Sequence, residues 1–302
     1  MAPQSRVGNT RIRLGRKPDM RIHVSSGIEN WKDKLMHRTG WFPYKPWRHS
    51  QQPLTMFGMY RPRDLLYWML HRGPKTLVWC GSDILSIGRT GFWLLQKTGG
   101  RHICENDVEL GVLRLMLQRE VEMQPLFFSN PLEFNPCYKP SKKPHVWMHI
   151  NKNAELESGW LLLKKVARVL PGLTFHVYGK TKAKLFYDGL LAYVSVPGQD
   201  ELFMMPPNIV VHGHVPEDQF NEEIRDYQCG IRLHSFDGMS EVSAKAILLG
   251  QHCITNIRYP HIPSYKDEKE LIAQLKKVAT TKPDHKMREH YIKEFTNPIW
   301  NG

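Results

Sequence analysis

Acidic residues are scarce in this 302-residue chain: 29 Asp and Glu stand against 42 Lys and Arg, a formal charge of +13. The shortage is local. Between Met1 and Lys75 only Asp19, Glu29, Asp33 and Asp64 oppose fifteen basic residues, so the first quarter supplies +11 of that charge. An excess of this size disfavours a cationic ligand and points to nucleic acid, an anionic membrane surface or an anionic glycan. Long apolar runs are absent too. None approaches the roughly 20 residues needed to span a bilayer, and Met1 to Lys17 lacks the apolar core of a secretory signal. A cytoplasmic protein with a flexible basic arm over residues 1–17 is expected. The five cysteines (Cys80, Cys104, Cys137, Cys229, Cys253) are scattered, without CxxC or Cys/His spacing, which argues against a disulfide framework and a structural zinc. No histidine pair at i, i+4 flanks a glutamate, so no metal is assigned. No internal repeat is evident.

What is present is alternation. Met20–Val24, Leu54–Phe57, Thr76–Cys80, Arg101–Cys104 and Val121–Leu126 read as strands, with helices over Arg63–His71 and Asp107–Gln118. Asn135 to Pro144 holds three prolines and three lysines in ten residues and reads as a linker. The pattern then restarts. Strands are expected at His145–Ile150, Leu173–Tyr178, Asn208–Val211, Gly230–His234 and Cys253–Asn256. Helices are expected at Ser158–Val169, Glu217–Tyr227, Ser243–Leu249, Lys266–Thr280 and His285–Thr296. Strand–helix alternation predicts an α/β protein with two Rossmann-like domains, 18–134 and 145–302, whose parallel sheets face across a cleft. The last helix is expected to pack back on the first domain.

The segment from His234 to Thr255 is the most telling. A strand gives way to the polar loop Ser235-Phe236-Asp237-Gly238-Met239-Ser240-Glu241, then to an apolar helix ending at Gly250. Strand, loop and helix start together offer backbone N–H groups to an anionic ligand. Ser235 to Gly238 resembles the S-x-x-E-G motif of the GT-B glycosyltransferases of family 4, with one residue fewer. Lys245 to Ile254 aligns without gaps on that family's E-A-M-A-x-G-x-P-V-I. Leu173–Gly179 and Asn208–Val215 are similar to its glycine-ended strand and its F-x-G-x-V strand. About 150 residues carry the resemblance. There are departures. Asp237 keeps the first acidic position, whereas Lys245 reverses the charge of the second and is available to a phosphate, while Glu241 either pairs with Lys245 or takes over the ribose. The family's Lys-Gly becomes Ser158-Gly159, leaving Lys152 or Lys180 to meet the diphosphate.

The resemblance implies a GT-B glycosyltransferase, retaining and metal-independent, with no cofactor beyond a nucleotide-sugar co-substrate, a UDP-sugar by expectation. Gly27, Lys152, Gly179, Lys180, His234, Ser235, Asp237 to Glu241 and Lys245 are the expected donor side. Asp83, after the most apolar strand, either orients and deprotonates the acceptor hydroxyl or caps the next helix. Glu105-Asn106 face the same alternatives. Gly27, in Ser26-Gly27, either admits phosphates to the backbone or makes a tight turn. His23 and His234 end strands at the cleft edge and either contact substrate or serve as structural histidines. Trp41, Tyr44, Trp47 and Arg48 interleave aromatics with cations and, with Arg61, Arg63 and Arg72, form an expected acceptor surface. Phage enzymes that glycosylate hydroxymethylated DNA bases share the GT-B fold, so duplex DNA in the host cytoplasm is the first acceptor expected. A membrane-surface glycan or lipid is the rival. A non-catalytic nucleic-acid-binding protein on a degenerate GT-B fold and a sugar-nucleotide epimerase complete the alternatives.

Overall fold

The computed structural model describes residues 20–150, 158–179, 205–234 and 237–297. The expected arm, Lys152, Lys180 and Ser235 lie outside the described residues. Two parallel sheets form. The first holds β1 (Arg21–Val24), β2 (Phe42–Pro43), β3 (Leu54–Phe57), β4 (Lys75–Val78), β5 (Arg101–Cys104) and β6 (Glu122–Met123), in the order β2-β1-β3-β4-β5-β6. The second holds β7 (His145–His149), β8 (Thr174–Tyr178), β9 (Ile209–Gly213), β10 (Cys229–Arg232) and β11 (His252–Thr255), in the order β11-β10-β7-β8-β9. A parallel sheet covered on both faces favours continuous apolar runs, and β3 and β10 are buried at every position.

The helices of the first half are α1 (Lys32–Thr39), α2 (Pro46–His49), α3 (Pro62–Leu70), α4 (Asp83–Ser86), α5 (Gly88–Lys97) and α6 (Asp107–Leu117). Those of the second are α7 (Trp160–Val169), α8 (Glu217–Glu223), α9 (Glu241–Leu248), α10 (Glu268–Val278) and α11 (His285–Thr296). Side-chain caps set several starts: Asn106 accepts the Val108 and Glu109 N–H groups, and Ser240, Asp267 and Asp284 cap α9, α10 and α11. Among the described residues no helix is long and apolar enough to cross a membrane.

Several elements differ from expectation. The helices α1, α2 and α5 and the short strand β2 are additional; α1 buries only Leu35, too little for an apolar period to show. Strand β6 spans two residues, since Pro125 has no N–H to extend the ladder. Helix α8 stops at Glu223, and a 3-10 turn, Ile224–Asp226, takes the rest of its expected length.

Packing of α9 on β10 depends on Gly230. A Cβ there would sit 2.6 Å from the Ala246 Cβ and 3.1 Å from the Trp147 ring. On β7, β8 and β9, His145, His176 and His212 stand side by side, with ring nitrogens 2.7 and 2.8 Å apart. Burial, then the two flanking histidines, pushes His176 down to about 3. His102 on β5, enclosed by Trp68 and Trp79, is also lowered to about 3 by burial.

Helix α11 reaches the first half. Gln124 donates to the Glu294 carbonyl at 3.0 Å, and the Arg38 guanidinium donates to the carbonyls of both Phe127 and Phe295. The Phe127 and Phe295 rings lie 5.3 Å apart, and Arg288 on α11 reaches the Phe134 carbonyl just before residues 135–144. That segment carries no helix or strand and is pinned at Cys137, whose N–H bonds the Leu249 carbonyl at 3.0 Å.

Candidate functional site

In a doubly wound sheet, ligands bind beyond the strands' C-terminal ends where the winding reverses. The first sheet reverses between β1 and β3, the second between β7 and β10. The loops after those strands face one another across a cleft of about 660 Å³. Gly27, Tyr60, Ser82 and Glu105 line it from the first half; His149, Gly179, Arg232, Asp237 to Glu241 and Lys245 line it from the second.

Within the cleft, Arg232 at the end of β10 grips Asp237, with Nε and Nη2 at 2.7 and 2.6 Å from Oδ2. The fork geometry fixes the loop that follows the strand. The first half holds the same loop. Glu105 accepts the Met239 N–H at 2.6 Å, and Asn106 donates from Nδ2 to the Asp237 carbonyl at 3.1 Å. A Cβ at Gly238 would overlap the Glu105 carboxyl, and one at Gly81 would lie 2.8 Å from the Gly238 nitrogen. Glycine at both positions lets the loop seat against the first sheet.

Glu105 is held well above the ordinary carboxylate range by burial first, then by Glu109 and Asp237 nearby. Burial raises Glu109 to about 8 and Asp83 to about 7. These carboxyls form an acidic seam beneath the loop.

Lys245 is nearly buried. Its Nζ lies 3.2 Å from Glu217 Oε1 and 3.4 Å from Glu241 Oε2, and the Phe220 ring lies 5.1 Å away. Lys34 of α1 reaches across the cleft to the same Glu217. The Glu217 carboxyl is desolvated, which alone would raise it, yet Lys34 and Lys245 hold it below the usual range. Both Glu241 carboxylate oxygens are buried without a hydrogen-bond partner, because the Lys245 contact is an ion pair outside hydrogen-bond geometry. A buried acceptor left unpaired in a cleft wall is a place for a ligand's hydroxyl or N–H.

The expected donor residues Gly27, Gly179 and Asp237 to Glu241 therefore share one cleft with Lys245. Gly179 has φ +86° and packs on Ile150 and His149; Gly27 packs on Tyr60. His234 is half-buried and is not among the cleft's lining residues. Asp83 requires correction as a catalytic candidate. It is fully buried and turned away from the cleft, accepting the Met59 and Cys80 N–H groups at 3.0 and 3.1 Å. It ties the ends of β3 and β4 together.

The expected acceptor surface also requires correction. Trp41 and Tyr44 are core residues, Tyr44 with its hydroxyl 3.1 Å from His71 Nδ1. Trp47, Arg48, Arg61, Arg63 and Arg72 are exposed, but none lines the cleft. Aromatic residues in a loop signal core anchorage as readily as stacking, and the two cannot be separated by spacing. His23 is structural, bonded to buried Asp64 at 2.8 Å. Arg232, Lys34, Glu217 and Tyr60 were not singled out from sequence. For Arg232, a charge at the end of an otherwise apolar strand was the available signal. Among the described residues no three His, Cys, Asp or Glu side chains gather as a metal site requires.

No protein-family model matches the sequence, and no curated protein matches it. Solved structures match in fold. Anabaena HepE, in complex with UDP-glucose, superposes with a TM-score of 0.58 at 10% identity, over 91% of this chain and 94% of that one. Sucrose-phosphate synthase from Thermosynechococcus elongatus gives 0.58 at 9%, over 80% and 69%. TarM gives 0.56 at 14%, over 80% of this chain and 51% of its own, so this chain spans about half of TarM's length. The two facing parallel α/β sheets have the GT-B arrangement.

Proposed function

We propose that the cleft binds a nucleotide sugar, a UDP-sugar first among them, and transfers its sugar to an acceptor approaching from the first half. One observation carries this: the Glu241 carboxylate in the wall of a cleft built at two switch points, its buried oxygens ion-paired with Lys245 but accepting no hydrogen bond. A ribose diol supplies the two donors that Glu241 lacks. Arg232, Lys245 and Lys34 are the cations available to the diphosphate, which competes with Asp237 and Glu217 for them. Fixed cations and backbone N–H groups aimed at the departing diphosphate stabilise the charge that develops as the sugar bond breaks. Glycine at 27 and 179 leaves room for close backbone approach. That HepE was solved with UDP-glucose supports the donor class. A retaining outcome and a metal-independent reaction follow from the resemblance to family 4. A hydroxymethylated DNA base has no support from the cleft, because the cations expected to hold duplex DNA lie outside it.

The test is thermal shift and calorimetry with a panel of UDP-, GDP-, ADP-, dTDP- and CMP-sugars. At a hundredfold excess over Kd the donor should add about 2.7 kcal/mol of stability. Glu241→Ala should weaken binding by tenfold or more, about 1.4 kcal/mol, and should also lower the melting temperature, since it removes one of the two carboxylates paired with buried Lys245. Glu241→Gln, which keeps the side chain's shape, separates the loss of ribose contact from the loss of packing. No shift with any nucleotide sugar would overturn the proposal.

A further inference from the structure

The cations that the cleft leaves out share another surface. Helices α3, α4 and α5 form part of the cover of the first sheet, with α3 and α5 in contact. Their outer side exposes large apolar side chains: Leu66, Met69 and Leu70 on α3, Leu85 on α4 and Trp93 on α5. Leu85 is 71% exposed and Trp93 55%, so five large apolar side chains are exposed on three successive helices, two of which are in contact. Arg63 on α3 and Arg89 and Lys97 on α5 are exposed too, Lys97 with its ammonium 6.0 Å from the Trp93 ring, and exposed Arg61 and Arg72 flank α3. The only acids between Arg61 and Lys97 are Asp64 and Asp83, and both are fully buried.

A stretch with exposed aliphatic and indole groups, several cations and no exposed acid from Arg61 to Lys97 is complementary to an anionic lipid bilayer. Cations alone would suit a nucleic-acid backbone, but Leu85 and Trp93 gain nothing from phosphates. A second copy of the same face would bring like charges together. We infer that this face docks the protein on an anionic membrane surface. The inference goes beyond nucleotide-sugar binding and stands independently of it. The face also reaches the cleft rim: Arg61 follows Tyr60, and Leu85 lies one turn past Ser82, both of them cleft residues. Docking in this way presents the acceptor side of the cleft to molecules held at the lipid surface.

Co-sedimentation of the full chain with phosphatidylcholine vesicles, with and without phosphatidylglycerol, tests it. Binding is expected on the anionic vesicles alone. The double variant Leu85→Asp/Trp93→Asp should lose at least about tenfold in vesicle affinity, and Arg89→Glu/Lys97→Glu a similar amount. Both should keep the wild-type melting temperature and nucleotide-sugar binding; the single variant Trp93→Ser gives a milder second measure. Failure to pellet, or pelleting that both double variants retain, overturns the inference and assigns any binding to another part of the chain. Loss of duplex-DNA binding in these variants, or dissociation of a dimer by Leu85→Asp/Trp93→Asp, overturns it in favour of those partners.

Discussion

Lys245 occupies the position where the family 4 pattern has a glutamate, and the structure dictates what restoring that glutamate would do. The ammonium sits between Glu217 and Glu241 at 3.2 and 3.4 Å and is almost fully buried. Lys245→Met keeps an unbranched stem but removes the ammonium from between the Phe134 and Phe220 rings and from Glu241, which keeps only the weaker Coulombic pull of Arg38; Glu217 still has Lys34. Breaking one side of a buried pair costs about 3 kcal/mol. At 2–4 °C per kcal/mol that is a fall of about 6–12 °C in Tm. Lys245→Glu loses the same pairing and adds a third carboxylate to the other two, so its cost should exceed 3 kcal/mol and approach about 5 kcal/mol. The pH dependence separates the causes. Crowded carboxylates hold their protons to higher pH in the folded than in the unfolded chain, so the Lys245→Glu deficit should shrink as pH falls towards 4. The Lys245→Met deficit should shrink less, with one fewer carboxylate present. Urea denaturation at pH 7.5 and pH 4.5 reads both. Lys245→Glu within about 0.5 kcal/mol of wild type at pH 7.5 would refute the reasoning.

Three further outcomes are expected. Gly238→Ala forces a Cβ into the Glu105 carboxyl and should cost about 1–3 kcal/mol with weaker nucleotide-sugar binding, whereas Glu105→Gln, which keeps an acceptor for the Met239 N–H, should retain binding in the same calorimetric titration. Gly230→Ala drives α9 away from β10 and should cost a similar 1–3 kcal/mol in chemical denaturation. His102 is held near 3 when folded against about 6.5 unfolded. Between those values the unfolded chain binds the extra proton, so its contribution to stability is lost as pH falls. Asp83, Glu105 and Glu109, raised on folding, act in the opposite sense. Measured against wild type near pH 5, His102→Phe should therefore lower the slope of unfolding free energy with pH by about 1.4 kcal/mol per unit.

The sheets were legible because a parallel strand covered on both faces must be apolar throughout, and Leu54–Phe57 and Thr76–Cys80 announce that in four or five residues. The loop Asp237–Glu241 was legible as the turn between such a strand and a helix. The helix α1 was not, since a helix that buries a single side chain leaves little period to detect. The site's second half of meaning lay in pairings across the cleft. Glu105 and Met239 are 134 residues apart, and Lys34 and Glu217 are 183 apart. No local pattern encodes such contacts. Asp83 misled because an acid at the end of a strand looks alike in sequence whether it faces solvent or caps two backbone N–H groups inside.

The contact between α11 and the first half bears on how firmly the two halves are held together. The chain passes between the halves at residues 127–145, and α11 returns beside that passage, joined to it by Phe127–Phe295, Arg288–Phe134 and the shared Arg38 guanidinium. Two bodies joined by one strand can swivel in any direction. Here the single covalent crossing is reinforced by the non-covalent contacts of α11, so any relative movement along this side of the cleft has to break the Arg38 and Gln124 bonds. The Glu105–Met239 and Asn106–Asp237 bonds tie the halves together again at the cleft itself, so separating them means giving up two independent sets of hydrogen bonds.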